Sequence, residues 1–299
     1  MTPLVLAVLF VQAPGVDLGR VWDKSSMHIV ALGDFGDGSK RQKSVAEAIV
    51  RSHGISPFDF GLTLGDNFYR CGVRGVQDPK WKTHWEDLYG VPLGIPFYAA
   101  LGNHDYGHPP IICPGAGSSP DAEIAYSARS KSWRMPARYY SFQAGSALFV
   151  VTDTEGWSGE QLAWIGKTLQ RSASMPEIRW RIVIGHHPLF TSGTHLNERR
   201  IGELREKLFP VLEANEVDLY IGGHDHDLEH LAKNGIHFVI CGGGGAHLRK
   251  FRRKDPASVF QAVKSAFLDI RIDEREVTVK FIDTNLESLE VPPLLLRKD

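Results

Sequence analysis

Cysteine, net charge and long apolar runs are all scarce in this 299-residue chain, and each scarcity excludes something. Three cysteines, Cys71, Cys113 and Cys241, permit at most one intramolecular disulfide and leave an odd thiol. Cys71 and Cys113 fall in loop-like sequence and are the expected pair. Cys241 ends the run Ile236-His237-Phe238-Val239-Ile240 and reads as a small buried apolar residue. A formal net charge of −1 rules out the global basic field of a nucleic-acid binder. No segment is long and apolar enough to span a bilayer. The nine-residue stretch Pro3 to Val11 is followed by Gln12-Ala13-Pro14-Gly15, with Val11 and Ala13 at the −3 and −1 positions of a signal cleavage. Residues 1–13 are therefore expected to be a signal peptide and the chain exported, although no Lys or Arg precedes the stretch; the alternative is a buried first strand.

What is present is an ordinary globular composition, 42% apolar and 23% charged, with thirteen histidines that metal chemistry could use. β-like runs fall at 27–33, 59–65, 97–102, 147–153, 179–185, 217–222, 236–241, 265–272 and 276–283. Helical patterns occupy 79–89, opened by Pro79 and stopped at Gly90, then 159–171, and 199–214 with Leu204, Leu208, Val211 and Leu212 on one face. Strands alternate with helices over the first two thirds and follow short turns near the end. That order predicts a layered α/β domain, with a mixed sheet or two packed sheets, as a single unit over 25–290. The Pro/Gly/Ser-rich stretch 107–120 reads as a surface loop, and there are no repeats.

Five short blocks each follow a β-like run: GDFG (33–36), GDNFY (65–69), GNHD (102–105), VIGH (183–186) and GHDH (223–226). A strand ending in Gly-Asp or Gly-His delivers a polar side chain at the sheet edge, and the glycine admits close backbone approach. GDFG alone is a common turn. In GHDH, two imidazoles two residues apart share one side of an extended segment and can face one cluster. The joint occurrence makes Asp34, Asp66, Tyr69, Asn103, His186, His224 and His226 the candidate ligands of a two-metal hydrolase.

The order and spelling of the blocks resemble the purple acid phosphatases, in particular their small single-domain, tartrate-resistant type, over roughly residues 27–283. The family pattern GDxG, GDxxY, GNH[DE], VxxH and GHxH is matched at every position. GHHPLF followed by His195, and AEIAYSARSKSW over 122–133, are similar as well. The resemblance implies a metallophosphoesterase-type β-sandwich of two mixed sheets flanked by helices. It places Asp34, Tyr69 and His226 on Fe(III), and Asn103, His186 and His224 on a divalent ion, Fe(II), Zn(II) or Mn(II), with Asp66 bridging. Carboxylate and phenolate oxygens suit a hard trivalent ion, imidazole and amide a divalent one. Other dinuclear metallophosphoesterases usually carry a histidine two residues after the first aspartate and lack the tyrosine. Phe35-Gly36 and Tyr69 therefore favour the iron enzyme.

The expected activity is an acid phosphatase that hydrolyses monoesters by attack of metal-bound hydroxide at phosphorus. The implied partners are a small phosphate ester, no nucleic acid and no membrane span, in a monomer. His104 and His195 are the candidate catalytic residues, as proton donors or contacts to nonbridging oxygens. His187 is expected to point away from His186 as a packing residue, and Asp153 to support the site from behind. Gly242 to Gly245 could present N–H groups to phosphate or be a floppy turn. Arg249-Lys250-Phe251-Arg252-Arg253-Lys254 could steer anions, though a solvated loop is the simpler reading. Only a short turn separates Asp153 from the helix at 159, so the cleavable loop of mammalian relatives is absent. Competing functions are a redox-active iron protein, a di-metal phosphodiesterase and a non-catalytic phosphate-binding module.

Overall fold

The structure, a computed structural model, describes residues 15–107, Cys113 and 120–299, so the expected leader and most of the loop 107–120 lie outside the described residues. Its strands in chain order are β1 (Val16–Trp22), β2 (Met27–Leu32), β3 (Phe60–Leu64), β4 (Phe97–Ala100), β5 (Trp133–Arg134), β6 (Tyr140–Ala144) and β7 (Ala147–Val151). They continue as β8 (Trp180–Ile184), β9 (Leu219–Gly222), β10 (Leu228–Lys233), β11 (Ile236–Cys241), β12 (Ser258–Ala262), β13 (Ala266–Ile272), β14 (Glu276–Asp283) and β15 (Leu294–Arg297). They form two mixed sheets, ordered β1-β6-β7-β8-β9-β11-β10-β12 and β15-β14-β13-β2-β3-β4-β5. This is the two-sheet α/β sandwich that the resemblance implied.

The sheets pack face to face through aromatic side chains. Phe60 of β3 stands edge-on to Phe142 of β6 and Phe149 of β7, with ring centroids 5.9 and 5.7 Å apart, and Tyr98 of β4 stacks on Phe142 at 4.1 Å. Along β7, Ala147, Phe149 and Val151 turn into this core, while Leu148 and Val150 turn outward to a second one. That outer core is closed by Ile165 and Leu169 of α4 (Gly159–Ser172), Leu204 of α5 (Arg199–Lys207) and Leu212 of α6 (Phe209–Ala214). The other sheet is covered by α1 (Lys40–Ile55), by a π-wound helix, Trp81–Gly90, that continues into α2 (Val91–Leu93), and by α3 (Pro120–Tyr126). Strands covered on both faces read as continuous apolar runs, which is why the parallel strands were the most legible.

Several elements differ from expectation for local reasons. The helix expected over 199–214 is two helices, α5 and α6, because Pro210 cannot donate a helical N–H. The helix expected to stop at Gly90 runs on through Val91–Leu93 and ends at Gly94, whose φ of 65° suits only glycine well. α1 was missed because it opens on the polar Lys40-Arg41-Gln42-Lys43-Ser44; its start is fixed by Ser39, whose hydroxyl accepts from Gln42 N. β10 carries Glu229 and His230 inward, where Ser192 N donates to Glu229 (2.8 Å) and the His230 ring pairs with Glu290 (2.7 Å). Cys71 and Cys113 form the expected disulfide, and Cys241 is buried and free. Among the described residues no helix is long and apolar enough to cross a membrane.

His230 Nε2 lies 2.9 Å from His237 Nδ1, and His237 is pushed down to about 4, by burial first and by His230 second. Between pH 4 and the ordinary value of 6.5 the unfolded chain therefore protonates His237 while the fold does not. This stability is present above 6.5 and is lost as pH falls through that window. His237→Gln should flatten the acid side of the Tm-against-pH curve. Superimposable curves for the two proteins would show that His237 carries no pH dependence.

Candidate metal centre

Both sheets end at one seam. Asp34 follows β2, Asp66 and Tyr69 follow β3, and Asn103 follows β4, all from one sheet; His186 follows β8, and His224 and His226 follow β9 of the other. Asp34, Asp66 and His224 take the left-handed backbone at φ 57°, 53° and 70°, costing about 1–3 kcal/mol each and sustained only where the surroundings over-determine them. Asp34 Oδ2 accepts from His224 N across the seam at 2.9 Å. Glycines let the loops interleave: a Cβ on Gly102 would stand 2.2 Å from Asp66 N and 2.3 Å from Asp66 Oδ1.

The seven side chains gather in two groups. Tyr69 Oη lies 3.0 Å from Asp34 Oδ1, 2.9 Å from Asp66 Oδ2 and 3.1 Å from His226 Nε2, and His226 Nε2 is 3.3 Å from Asp34 Oδ1. His186 Nε2 lies 3.2 Å from Asn103 Oδ1, 3.2 Å from His224 Nδ1 and 3.4 Å from Asp66 Oδ1. Asp66 thus presents one oxygen to each group. Donors about 2.1 Å from one octahedral ion sit about 3 Å apart, so both groups fit the donor spacing of a coordination sphere. Their chemistry fits too: two carboxylates, a phenol and one imidazole on one side, two imidazoles, an amide and a shared carboxylate on the other.

Each imidazole is aimed by its second nitrogen. His186 Nδ1 donates to Leu64 O (2.8 Å), His226 Nδ1 to His247 O (2.7 Å), and His224 Nε2 to Glu198 Oε2 (2.6 Å). Burial and the Asp34 and Asp66 carboxylates hold the Tyr69 hydroxyl well above 10, so a phenolate there requires a strong Lewis acid. Burial opposes the ionisation of Asp66, yet His186 and then His104 hold its carboxyl below the usual range. Burial likewise opposes a charged His186, but Asp66 and Asp34 push it up to about 10; a bound cation would displace that proton. His224 is kept neutral by burial and by His186 beside it.

Behind this layer Asp105 ties two loops together, accepting from Gly102 N (2.8 Å), Asn67 N (2.9 Å) and Phe68 N (3.1 Å). Burial and the nearby Asp66 push it up to about 7, and burial and Asp105 raise Glu123 well above the carboxylate range, so the pair keeps a proton. His104 N donates to Asp66 Oδ1 (2.8 Å), and its ring Nδ1 donates to Arg70 O (2.6 Å). His195 Nδ1 is 2.9 Å from Asp225 Oδ1, and its ring lies 4.1 Å from the His224 ring.

Other expectations resolve differently. His187 is buried but does not face fully away: its ring is 4.3 Å from that of His224, with Nδ1 on Thr154 Oγ1 at 2.9 Å. Asp153 receives Gly156 N (2.7 Å) and the Tyr106 hydroxyl, fixing its own turn. The glycine quartet spends N–H groups inside the protein, Gly242 N on Asp227 O and Gly244 N on Gly33 O, so it braces the Asp34 loop instead of offering those groups to an anion. Glu198 and Asp225 were missed. Asp225 lies inside GHDH between the two imidazoles, in a bend past the end of β9 where His224 has φ 70° and strand alternation does not apply; Glu198 carries no signal beyond a helix start.

A sandwich whose sheet edges converge on seven such donors defines a phosphoesterase architecture, and the chain belongs to the calcineurin-like phosphoesterase family, whose sequence profile matches residues 27–228. Within it the chain stands with the purple acid phosphatases, which are phosphoric monoester hydrolases. It is 30% identical to purple acid phosphatase 3 of Arabidopsis thaliana, covering 86% of this chain and 75% of that one. Identity to the tartrate-resistant acid phosphatase type 5 of Sus scrofa is 29%, over 88% and 85%. The fold also matches GAP50, the anchor in the inner membrane complex of Plasmodium, at TM-score 0.78 and 25% identity, covering 92% of this chain and 90% of that one.

Gly102→Ala should push Asp66 out of the seam and lower the metal found per chain by elemental analysis. Gly202→Ala, where an added Cβ meets nothing within 4 Å, should leave it unchanged. Equal metal content in the two variants would show that Asp66 does not depend on this close approach.

Proposed function

We propose that the chain is an exported binuclear-metal acid phosphatase acting on phosphate monoesters, with one catalytic domain over 25–290 and a mature chain beginning at Pro14. Asp34, Tyr69 and His226 would hold Fe(III); Asn103, His186 and His224 would hold Fe(II), Zn(II) or Mn(II); Asp66 would serve both. The observation that carries this reading is the division of Asp66, with Oδ2 at 2.9 Å from Tyr69 Oη and Oδ1 at 3.4 Å from His186 Nε2. When bound, such a pair of ions supplies electrophilic charge at phosphorus and makes water acidic enough to act as a nucleophile below neutral pH.

The protein's own groups divide the remaining work. Glu198 orients the His224 ring and keeps Nδ1 free to bind. The backbone N–H of His104 steadies Asp66 Oδ1, while the bond from its ring Nδ1 to Arg70 O leaves Nε2 as the atom that, in the imidazolium form, can pass a proton to a leaving oxygen. A tilted contact with the Tyr69 ring, centroids 4.5 Å apart, keeps that ring beside the centre. His195 is fixed by Asp225, which His195 and Thr191 hold below the usual carboxylate range although burial opposes it.

The likeness to GAP50 favours a second reading, a non-catalytic anchor on the same fold. Retention of all seven donors, each in hydrogen-bonding reach of another, supports the enzyme. A chromogenic monoester should be turned over at acid pH, with Asp66→Ala losing both metal and activity. His104→Gln should keep its metal and lose about 10²–10⁴-fold in kcat. Metal retained with no turnover on a broad ester panel would favour the anchor or a redox protein. Purified protein should also show a visible tyrosinate-to-iron band that disappears in Tyr69→Phe; a colourless protein carrying only zinc or manganese would end the iron assignment and leave the hydrolase.

A further inference from the structure

The basic run 249–254 does not behave as one solvated loop. Lys250, Arg252, Arg253 and Lys254 are exposed, and Arg253 is paired with Asp255 at 3.1 Å. Arg249 is only part-exposed and turned inward: its backbone N–H donates to His226 O (2.9 Å), and its Nη1 lies 2.8 Å from His195 Nε2. The segment is also fastened to the loop that carries His195, since Arg252 N and Arg253 N both donate to Ser192 O, at 2.9 and 3.3 Å.

A guanidinium has donors and no acceptor, so His195 Nε2 must be the acceptor in this contact. The ring then carries its proton on Nδ1 and donates it to Asp225 Oδ1 (2.9 Å). In this arrangement His195 has no proton to give a leaving group and acts instead to aim Arg249. Among the described residues no carboxylate is ion-paired to Arg249, and its side chain hydrogen-bonds only to the His195 ring, leaving the rest of its fork for another acceptor. A partly buried cation beside the donor cluster, with a planar fork of N–H groups to spare, matches the nonbridging oxygens of a phosphoryl group.

We propose that Arg249 is a substrate-binding residue that contacts the phosphoryl oxygens of the ester, with His195 and Asp225 positioning it. The proposal rests on the reading of this site as a phosphatase. It makes the aimed Arg249 fork a specificity element for anionic phosphoryl groups, and leaves the outer cations of the run in solvent.

The test measures inorganic phosphate binding to the metal-loaded full chain by calorimetry, for the wild type, Arg249→Ala, Arg249→Lys, His195→Ala and the His195→Ala/Arg249→Ala double variant, with metal content determined for each. Arg249→Ala should weaken phosphate by about ten- to hundredfold with metal unchanged, Arg249→Lys should recover part of the loss, and the loss should be smaller when His195 is absent, because the fork is then no longer aimed. Phosphate affinity unchanged in Arg249→Ala would overturn the contact, and a loss of equal size with and without His195 would overturn the positioning role. A metal-loaded wild type that neither binds phosphate nor hydrolyses monoesters would defeat the phosphatase reading itself, and the contact with it.

Discussion

Everything at the seam depends on how Lewis-basic atoms are crowded there. Two carboxylates, a phenol, an amide and three imidazoles present donors 2.9–3.4 Å from one another in a region where Asp34, Asp66 and His186 are essentially buried. Lone pairs at that spacing repel in a low-dielectric interior unless protons or cations lie between them. The fold sustains the arrangement by removing the alternatives: each ring's second nitrogen is committed to a fixed acceptor, and three of the donor-bearing or adjoining residues are held in left-handed backbone. The cost of that local strain is met by the packing of the two sheets, which meet through Phe60, Phe142 and Phe149.

The two sheets contribute unlike chemistry. Oxygen donors come mainly from the loops after β2 and β3, while the loops after β8 and β9 supply imidazoles. The loop after β4 adds Asn103, facing His186, and Asp105, which fastens β4 to the β3 loop. Each donor group nevertheless draws on both sheets, His226 joining the oxygens and Asn103 the imidazoles, and Asp66 is the side chain that spans the two groups. The groups proposed to meet substrate, His104, His195 and Arg249, stand on loops as the donors do, His104 next to Asn103 in the loop after β4.

Parallel strands buried on both faces announced themselves as apolar runs, and the Gly-Asp and Gly-His endings located the side chains they deliver. Strand β10 escaped because its inward Glu229 and His230 are hydrogen-bonded by Ser192 and Glu290, partners that no local pattern reveals. The single helix read over 199–214 broke at Pro210, a residue that was visible but outweighed by the apolar stripe. The basic run looked uniform in sequence, and only its fastening to Ser192 O and His226 O separates Arg249 from its solvated neighbours.

By itself the sequence determined the identity of the donors, their order along the chain and the α/β class, because residue type and strand periodicity are local properties. Tertiary structure alone decided which oxygen of Asp66 meets which group, that Glu198 aims His224, and that His195 accepts from Arg249. Those facts depend on the mutual approach of segments as many as 190 residues apart, the separation of Asp34 and His224, and contacts over such distances are set by packing the whole chain.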